Sequence, residues 1–260
     1  MAVKNIIINI FNRKRCAVII RKILSKLFRI GNNTPSNEIL QWLNKNANEL
    51  DSFADSIDRE LWNESLETIK TIKIKSKKIL NEIQFKMGGG GAYPLLYFLT
   101  RIIRPKHVLE TGVAAGFSSQ AILLAMGKNN HGQLYSSDFP YFRESNPEDY
   151  IGILVDEILK TRWHLFIDGD RKNLKKIFKL VSNFEIVHYD SDKSYNGRKF
   201  FMKKIQKHLT KNFIIIMDDI QDNAFFYDFI KSNQKLNWKI FHFEGKYLGL
   251  LYHNNKIIPS

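Results

Sequence analysis

The sequence predicts an α/β fold: a doubly wound, mostly parallel sheet of seven strands with an antiparallel C-terminal hairpin strand, preceded by N-terminal helices. Three observations predict it. From Lys106 onward, short apolar runs alternate with stretches of helical periodicity. The last two runs, "NWKIFHF" and "YLGLLYH", flank the tight turn "EGK" and read as an antiparallel hairpin. The first run continues into "ETGVAAGFSS", where glycines and serines follow an acid at a strand-to-helix turn.

The elements follow in order. Residues 1–30 have a helical but poorly fixed pattern, and "GNNTPSNE" at 31–38 has the turn chemistry of a linker. From 39 to about 86 the pattern is helical: "ILQWLNKNANELDSFADSIDRELW", then "ESLETIKTIKIKSKKILNEI". "MGGGGAY" at 87–93 ends it, and its glycines let the backbone approach a ligand closely or hinge. A short helix at 94–103 follows. The strands are "KHVLET", "GQLYSSD", "RWHLFID", "FEIVHYD" and "NFIIIMDD". Each leads into a helical stretch: "FSSQAILLAMG", "PEDYIGILVDEILKT", "RKNLKKIFKLV", "YNGRKFFMKKIQKHL" and "NAFFYDFIKSN". The chain thus divides into a basic arm and linker (1–38), a helical extension or lid (39–86) and a ligand-binding domain (87–260).

Composition narrows the class. Of 260 residues 44% are hydrophobic, enough for a full core. Cys16 is the only cysteine, which excludes an intramolecular disulfide framework and suits a reducing, cytoplasmic compartment. No apolar run reaches the roughly 20 residues needed to cross a bilayer. Basic residues interrupt the opening segment, and no small-residue cleavage site follows it, so it does not read as a secretory signal. The net charge is +14; residues 1–30 hold eight Lys/Arg and no acid, and "KTIKIKSKK" adds five lysines. Such a surface is either a solvated basic face or a partner for an anionic membrane or glycan, which would make the protein peripheral to a membrane. The 17–30 segment either lies on a membrane surface or packs on the domain. The N-terminal helices are candidate lid or dimer elements.

In an open parallel sheet, ligands bind beyond the carboxyl ends of the strands, where strand order reverses. Here those ends carry Glu110, Asp138, Asp170, Asp190, and the pair Asp218 and Asp219. Acids gathered on one edge repel each other unless a cation sits among them. Gly112 lets the chain turn beside a ligand, and Gly116 permits close packing at the helix start. The helix N-terminus with Ser118 and Ser119 offers N–H groups to a carboxylate. The spacing G-x-x-x-G is not the dinucleotide fingerprint. Asp138 is placed to accept from ribose hydroxyls and Asp170 from an adenine amino group. An adenosine with a carboxylate tail and a positive centre satisfies all of these, and S-adenosylmethionine has that shape.

The order "LETGVAAGFSS", "GQLYSSD", "RWHLFIDGD", "HYDSDKSYNG", "IIIMDD" resembles the class I S-adenosylmethionine-dependent methyltransferases, a Rossmann-like fold. It is most similar to bacterial small-molecule and sugar O-methyltransferase-like proteins, over about residues 85–253. The resemblance implies that Glu110, Gly112, Gly116 and Ser118 hold the methionine moiety, Asp138 the ribose, and Gly169 and Asp170 the adenine side. Gly88–Gly91, Gly89 among them, would close over the cofactor. Relatives often read D-S-x-H-T-Y-E after strand four, where this chain has Asp190, Ser191, Asp192, Lys193, Ser194, Tyr195 and Asn196. Lys193 thus replaces the histidine that would be a base, and could serve as one only if burial lowered its pKa by several units. By the same resemblance Asp190, Asp218 and Asp219 form a candidate Mg²⁺ triad, the alternative being that Asp190 faces the cofactor and the pair is structural.

The function implied is O-methylation of a small hydroxylated metabolite or sugar. The alternatives are an RNA methyltransferase, suggested by charge but unsupported by any recognisable RNA-binding module or N/D-P-P-Y-type motif, and a non-catalytic protein that keeps the cofactor pocket. His164 and His188, inside apolar strands, read as core residues.

Overall fold

A computed structural model describes residues 2–11, 15–20, 36–83, 87, 91–142, 144–253 and 258. Gly89 and most of the glycine run lie outside the described residues. Strands β2 (His107–Thr111), β3 (Gln133–Ser137), β4 (Trp163–Phe166), β5 (Phe184–Tyr189) and β6 (Leu209–Met217) fall on the five apolar runs. The hairpin is β7 (Asn237–Phe243) and β8 (Lys246–Tyr252), and a two-residue strand, β1 (Ala47–Asn48), precedes them all. The sheet order is β1–β7–β8–β6–β5–β2–β3–β4. Every neighbouring pair is parallel except those of β8, which is antiparallel to both β6 and β7.

Alternate residues of each strand feed opposite faces, because the side-chain period of a strand is two. Val108, Ile186, Ile214, Ile216 and Leu250 join one core with Trp62, Leu95, Phe98 and Ile122. Leu109, Val187, Ile215, Met217 and Leu251 join the other with Ile177, Phe201, Ile205 and Phe226. Burial on both faces explains why the strands read as continuous apolar runs. The covering helices are α5 (Tyr93–Ile103) and α6 (Phe117–Asn129) with the first core, and α7 (Asp170–Leu180), α8 (Tyr195–Ile205) and α9 (Phe225–Ser232) with the second. The chain runs from β2 outward to β3 and β4, then returns to β5 on the other side of β2. The reversal therefore lies beyond the ends of β2 and β5, where a ligand crevice is expected.

Two expectations fail, each for a local reason. The helix read over 39–86 is interrupted: α3 (Asn37–Asn46) stops at β1, and α4 (Leu50–Asn81) begins after it, giving eight strands rather than seven. Asn48 fastens this edge by donating to Ile240 O at 3.2 Å. Inside α4, Asp58 has extended dihedrals (φ −161°, ψ 97°), and its carboxylate accepts from Leu61 N at 2.9 Å, capping the second segment. Trp62 Nε1 donates across this kink to Asp51 at 3.0 Å.

The second failure is the helix expected over 147–161. Turns occupy 147–154, and only Glu157–Arg162 forms a 3₁₀ helix. Gly152 N donates to Ala114 O at 2.9 Å and Leu154 N to Ala115 O at 3.0 Å, so the segment bonds to the loop after β2 instead of to itself. Gly152 has φ +68°, and a Cβ on Gly116 would lie 2.9 Å from Gly152 Cα. We call residues 150–155 the strap. Ile151, Leu154 and Val155 remain buried in it, which is why the apolar spacing looked helical.

At the N-terminus, α1 (Ala2–Phe11) and α2 (residues 15–20, helical) dock on the loop after β3. Asn9, 1% exposed, donates to Phe142 O at 3.0 Å and Glu144 O at 3.2 Å. Arg15 Nε donates to Glu148 at 2.9 Å, and Val18, Ile19 and Phe142 form a small core.

Gly152 tests the strap. A Cβ there would collide with the Trp163 ring at a positive φ. Gly152→Ala should cost about 2–4 kcal/mol of stability; an unchanged midpoint in urea denaturation would show that the strap is not held as described.

Candidate functional site

The loop after β2 is built on left-handed backbone: Gly112 (φ 85°), Ala114 (φ 49°) and Gly116 (φ 99°). A Cβ on Gly112 would lie 2.5 Å from Asp190 O, so glycine is needed where the ends of β2 and β5 meet. Ala114 has no such exemption and is held in a sparsely populated conformation. What holds it is Asp138 from the end of β3. Its Oδ2 accepts from Val113 N at 2.8 Å and Ala114 N at 2.7 Å, a carboxylate seated in a backbone nest. Its Oδ1 accepts from Phe139 N at 2.6 Å. Phe139 lies against Gly169 so closely that a Cβ there would collide with its ring. Asp170 accepts from Ser137 at 2.6 Å and Ser191 at 2.5 Å, tying β3 to the turn after β5. Burial pushes Asp170 up to about 6 against those two hydrogen bonds.

Behind the loop, Glu110 is fully buried. Ser118 and Ser119 donate to its two oxygens at 2.6 Å each, and Ser136 donates at 2.8 Å. Ser118 therefore spends its hydroxyl on Glu110 rather than presenting it to a ligand. Register places Glu110 opposite His188 on β5. The His188 imidazole stands 3.6 Å from Glu110 and 3.5 Å from Asp218, at ion-pair rather than hydrogen-bond distances. Burial favours its neutral form, but Asp218 and Glu110 outweigh that and push His188 up to about 10. Burial likewise raises Glu110, yet His188, Ser118 and Ser119 hold it below the ordinary carboxylate value. The core histidine of the sequence reading is thus a buried cation. His164, read the same way, is exposed on β4 and stacks on Tyr135, with ring centroids 4.6 Å apart.

A second charged group lies at the ends of β5 and β6. Lys193 pairs with Asp190 at 2.9 Å and with Asp219, and Lys246 reaches Asp219 at 3.3 Å. Burial lowers the Lys193 pKa, but Asp190 and Asp219 reverse this and hold it above the ordinary lysine value. Lys193 is therefore charged, and the condition under which it could act as a base, a pKa lowered by burial, is not met: its two carboxylates favour the ammonium form. Asp190 is pushed up to about 6 by burial and by the charge of Asp218, with Lys193 and His188 opposing. Burial raises Asp219 too, but Lys193 and Lys246 hold it below the ordinary value. Arg198, fully buried on α8, donates to Asp218 O at 3.0 Å and Asp219 O at 2.7 Å. It supports a turn in which Asp219 has φ 51°. Nothing in the spacing of the sequence singled out Arg198; only its position on the first turns of a helix facing "MDD" gives it away.

The expected Mg²⁺ triad does not fit this arrangement. Among the described residues, no three acids, histidines or cysteines converge as a ligand set. Asp218 faces His188, and Asp219 is taken by two lysines. The cations that the row of acids requires are supplied by the chain itself. The left-handed loop lies at the switch point, where a ligand of this fold class is expected; its nest is filled by Asp138, and Gly91 packs where a Cβ would strike Asp218.

Residues 109–220 match a family model described as a methyltransferase domain. A search of curated proteins finds no significant match. Among solved structures, a methyltransferase from Geobacter sulfurreducens is 19% identical, with a TM-score of 0.54 over 70% of this chain and 88% of that one. An O-methyltransferase from Bacillus cereus in complex with SAH is 13% identical, with a TM-score of 0.52 over 82% of this chain and 100% of that one. An SAH-bound methyltransferase from Podospora anserina is 16% identical, with a TM-score of 0.50 over 86% and 100%. At these identities the structures share the fold, a mostly parallel Rossmann-like sheet closed by a reversed strand.

The charge on His188 has a measurable sign. The folded protein keeps the proton up to about pH 10, whereas the ordinary imidazole loses it near 6.5. The stabilisation is complete below the lower value and is lost as pH rises through the upper one. Stability in urea should fall more steeply over that interval for the native chain than for His188→Gln. Parallel profiles would mean that the folded imidazole is neutral.

Proposed function

We propose that this chain, which carries a methyltransferase domain over residues 109–220, moves the methyl group of S-adenosylmethionine onto a hydroxyl oxygen of a small acceptor. The observation that carries the reading is the left-handed loop Gly112–Gly116, pinned by Asp138 at the switch point of the sheet. Two of the solved structures quoted hold SAH, the demethylated product of that cofactor, which supports the choice of nucleoside. In this reading Gly112 and Gly116 shape the methionine seat, with Glu110 and Ser118 bracing it from behind. Asp138 serves the ribose, and Gly169 and Asp170 the adenine side. Gly91, packed against Asp218, borders the seat at the strand ends.

Bound there, the cofactor supplies a methyl carbon activated by its sulfonium. The chain has to orient the acceptor oxygen and take its proton. Asp190 is suited to the proton: burial and Asp218 bring it to about 6, so at neutral pH it is an ionised carboxylate of raised basicity. Lys193, held as an ammonium beside it, stabilises negative charge gathering on the acceptor oxygen. No step is assigned to a metal. Binding without transfer is the competing reading, favoured by the protonated state of the residue that stands in the usual place of a base.

Calorimetry with S-adenosylmethionine and SAH, followed by labelled-methyl transfer to a panel of hydroxylated metabolites and sugars, tests this. Affinity with transfer supports it; affinity without transfer to any acceptor favours the competing reading; no affinity for either nucleoside refutes both. Asp138→Ala removes the acceptor for Val113 N and Ala114 N and should weaken cofactor binding by about 1–3 kcal/mol. Equal affinity would free Asp138 of its ribose role. Turnover should decline as pH falls through about 6, where Asp190 gains its proton; a flat profile from neutrality down to about pH 5 would exclude Asp190 as the proton acceptor.

A further inference from the structure

Helix α1 turns an apolar stripe to solvent. Lys4, Ile7, Ile8 and Phe11 share one stripe at spacings of three and four, and that stripe faces solvent. Ile7 is 50% exposed, Ile8 57% and Phe11 82%, and Ile20 on α2 adds a fourth apolar side chain at 47%. Turned toward the protein are Asn9, which is buried and bonded to the carbonyls of Phe142 and Glu144, and Ile10, half-buried against Val18, Ile19 and Phe142. The polar contact fixes the helix in this orientation, and Arg15 with Glu148 and the Val18–Ile19–Phe142 core secure the segment behind it. The apolar face is thus held outward by specific bonds, not left over from loose packing. Scattered apolar residues on a surface are ordinary; a contiguous stripe held outward is not.

Charge decides what covers it. Residues 1–30 hold eight Lys/Arg and no acid, within a chain of net charge +14. A second copy would bring the same basic segment against itself, and like charges disfavour that pairing. An anionic bilayer surface satisfies both features: its headgroups meet the basic residues, and its acyl boundary receives the isoleucines and the phenylalanine. Among the described residues no helix is long and apolar enough to cross a membrane. We propose that α1 and α2 dock the protein flat on an anionic membrane surface through Lys4, Ile7, Ile8, Phe11 and Ile20. The site is separate from the methyltransferase crevice, and the inference stands whether or not the chain transfers a methyl group.

Co-sedimentation of the full chain with vesicles tests it. Vesicles of phosphatidylcholine alone should retain little protein. Those in which about a third of the lipid is phosphatidylglycerol should bind it, and added salt should weaken the binding. The double variant Ile8→Ser with Phe11→Ser should lose at least about five-fold in anionic-vesicle binding, with an unchanged melting temperature because both side chains are exposed. Lys4→Glu should weaken binding in the same direction. No binding to anionic vesicles, or equal binding by the double variant, would overturn the proposal. So would a concentration-dependent dimer, seen by light scattering, that the double variant abolishes.

Discussion

The structure depends on how a row of carboxylates is made tolerable on one edge of a sheet. Glu110, Asp190, Asp218 and Asp219 all stand at the ends of three adjacent strands, buried or nearly so. Left alone they would repel each other and lose their hydration. His188 takes a position between Glu110 and Asp218, and Lys193 one between Asp190 and Asp219. Each cation joins two strand ends, so the balance of charge also fixes the spacing of β2, β5 and β6. The serines on Glu110 complete its hydrogen bonding.

That loop is rigid by a different means. Ala114 would not keep a left-handed conformation unaided, and Asp138 supplies two short hydrogen bonds that hold it. The same acid is followed by Phe139, whose ring fills the space over Gly169. One residue at the end of β3 therefore coordinates the turn after β2 with the turn after β4.

Much of the fold was legible because burial on both faces makes parallel strands conspicuous: "NFIIIMDD" and "FEIVHYD" can hardly be anything else. What failed was what tertiary bonding decides. Ile151, Leu154, Val155 and Ile158 repeat at helical spacing, but Gly152 turns to positive φ and its N–H goes to Ala114. β1 has only two residues, too short to carry a period. At the site, Glu110, Gly112, Gly116 and Asp138 could be placed from motif order alone. The ionic states could not. His188 lies within an apolar run, and nothing local says that register sets Glu110 beside it. The charge of Lys193 depends on Asp219, 26 residues away in the chain and brought beside it only by the fold.

The strap has a kinetic meaning. Because Ala114 and Ala115 give their carbonyls to Gly152 and Leu154, the turn after β2 cannot swing away by itself. The turn can open only together with the connection between β3 and β4, and with the helices that Asn9 and Arg15 fasten to it. Its opening is then a collective displacement, of the kind that runs on a microsecond-to-millisecond scale rather than that of a flickering tip, and its pace is set by residues remote from the turn itself.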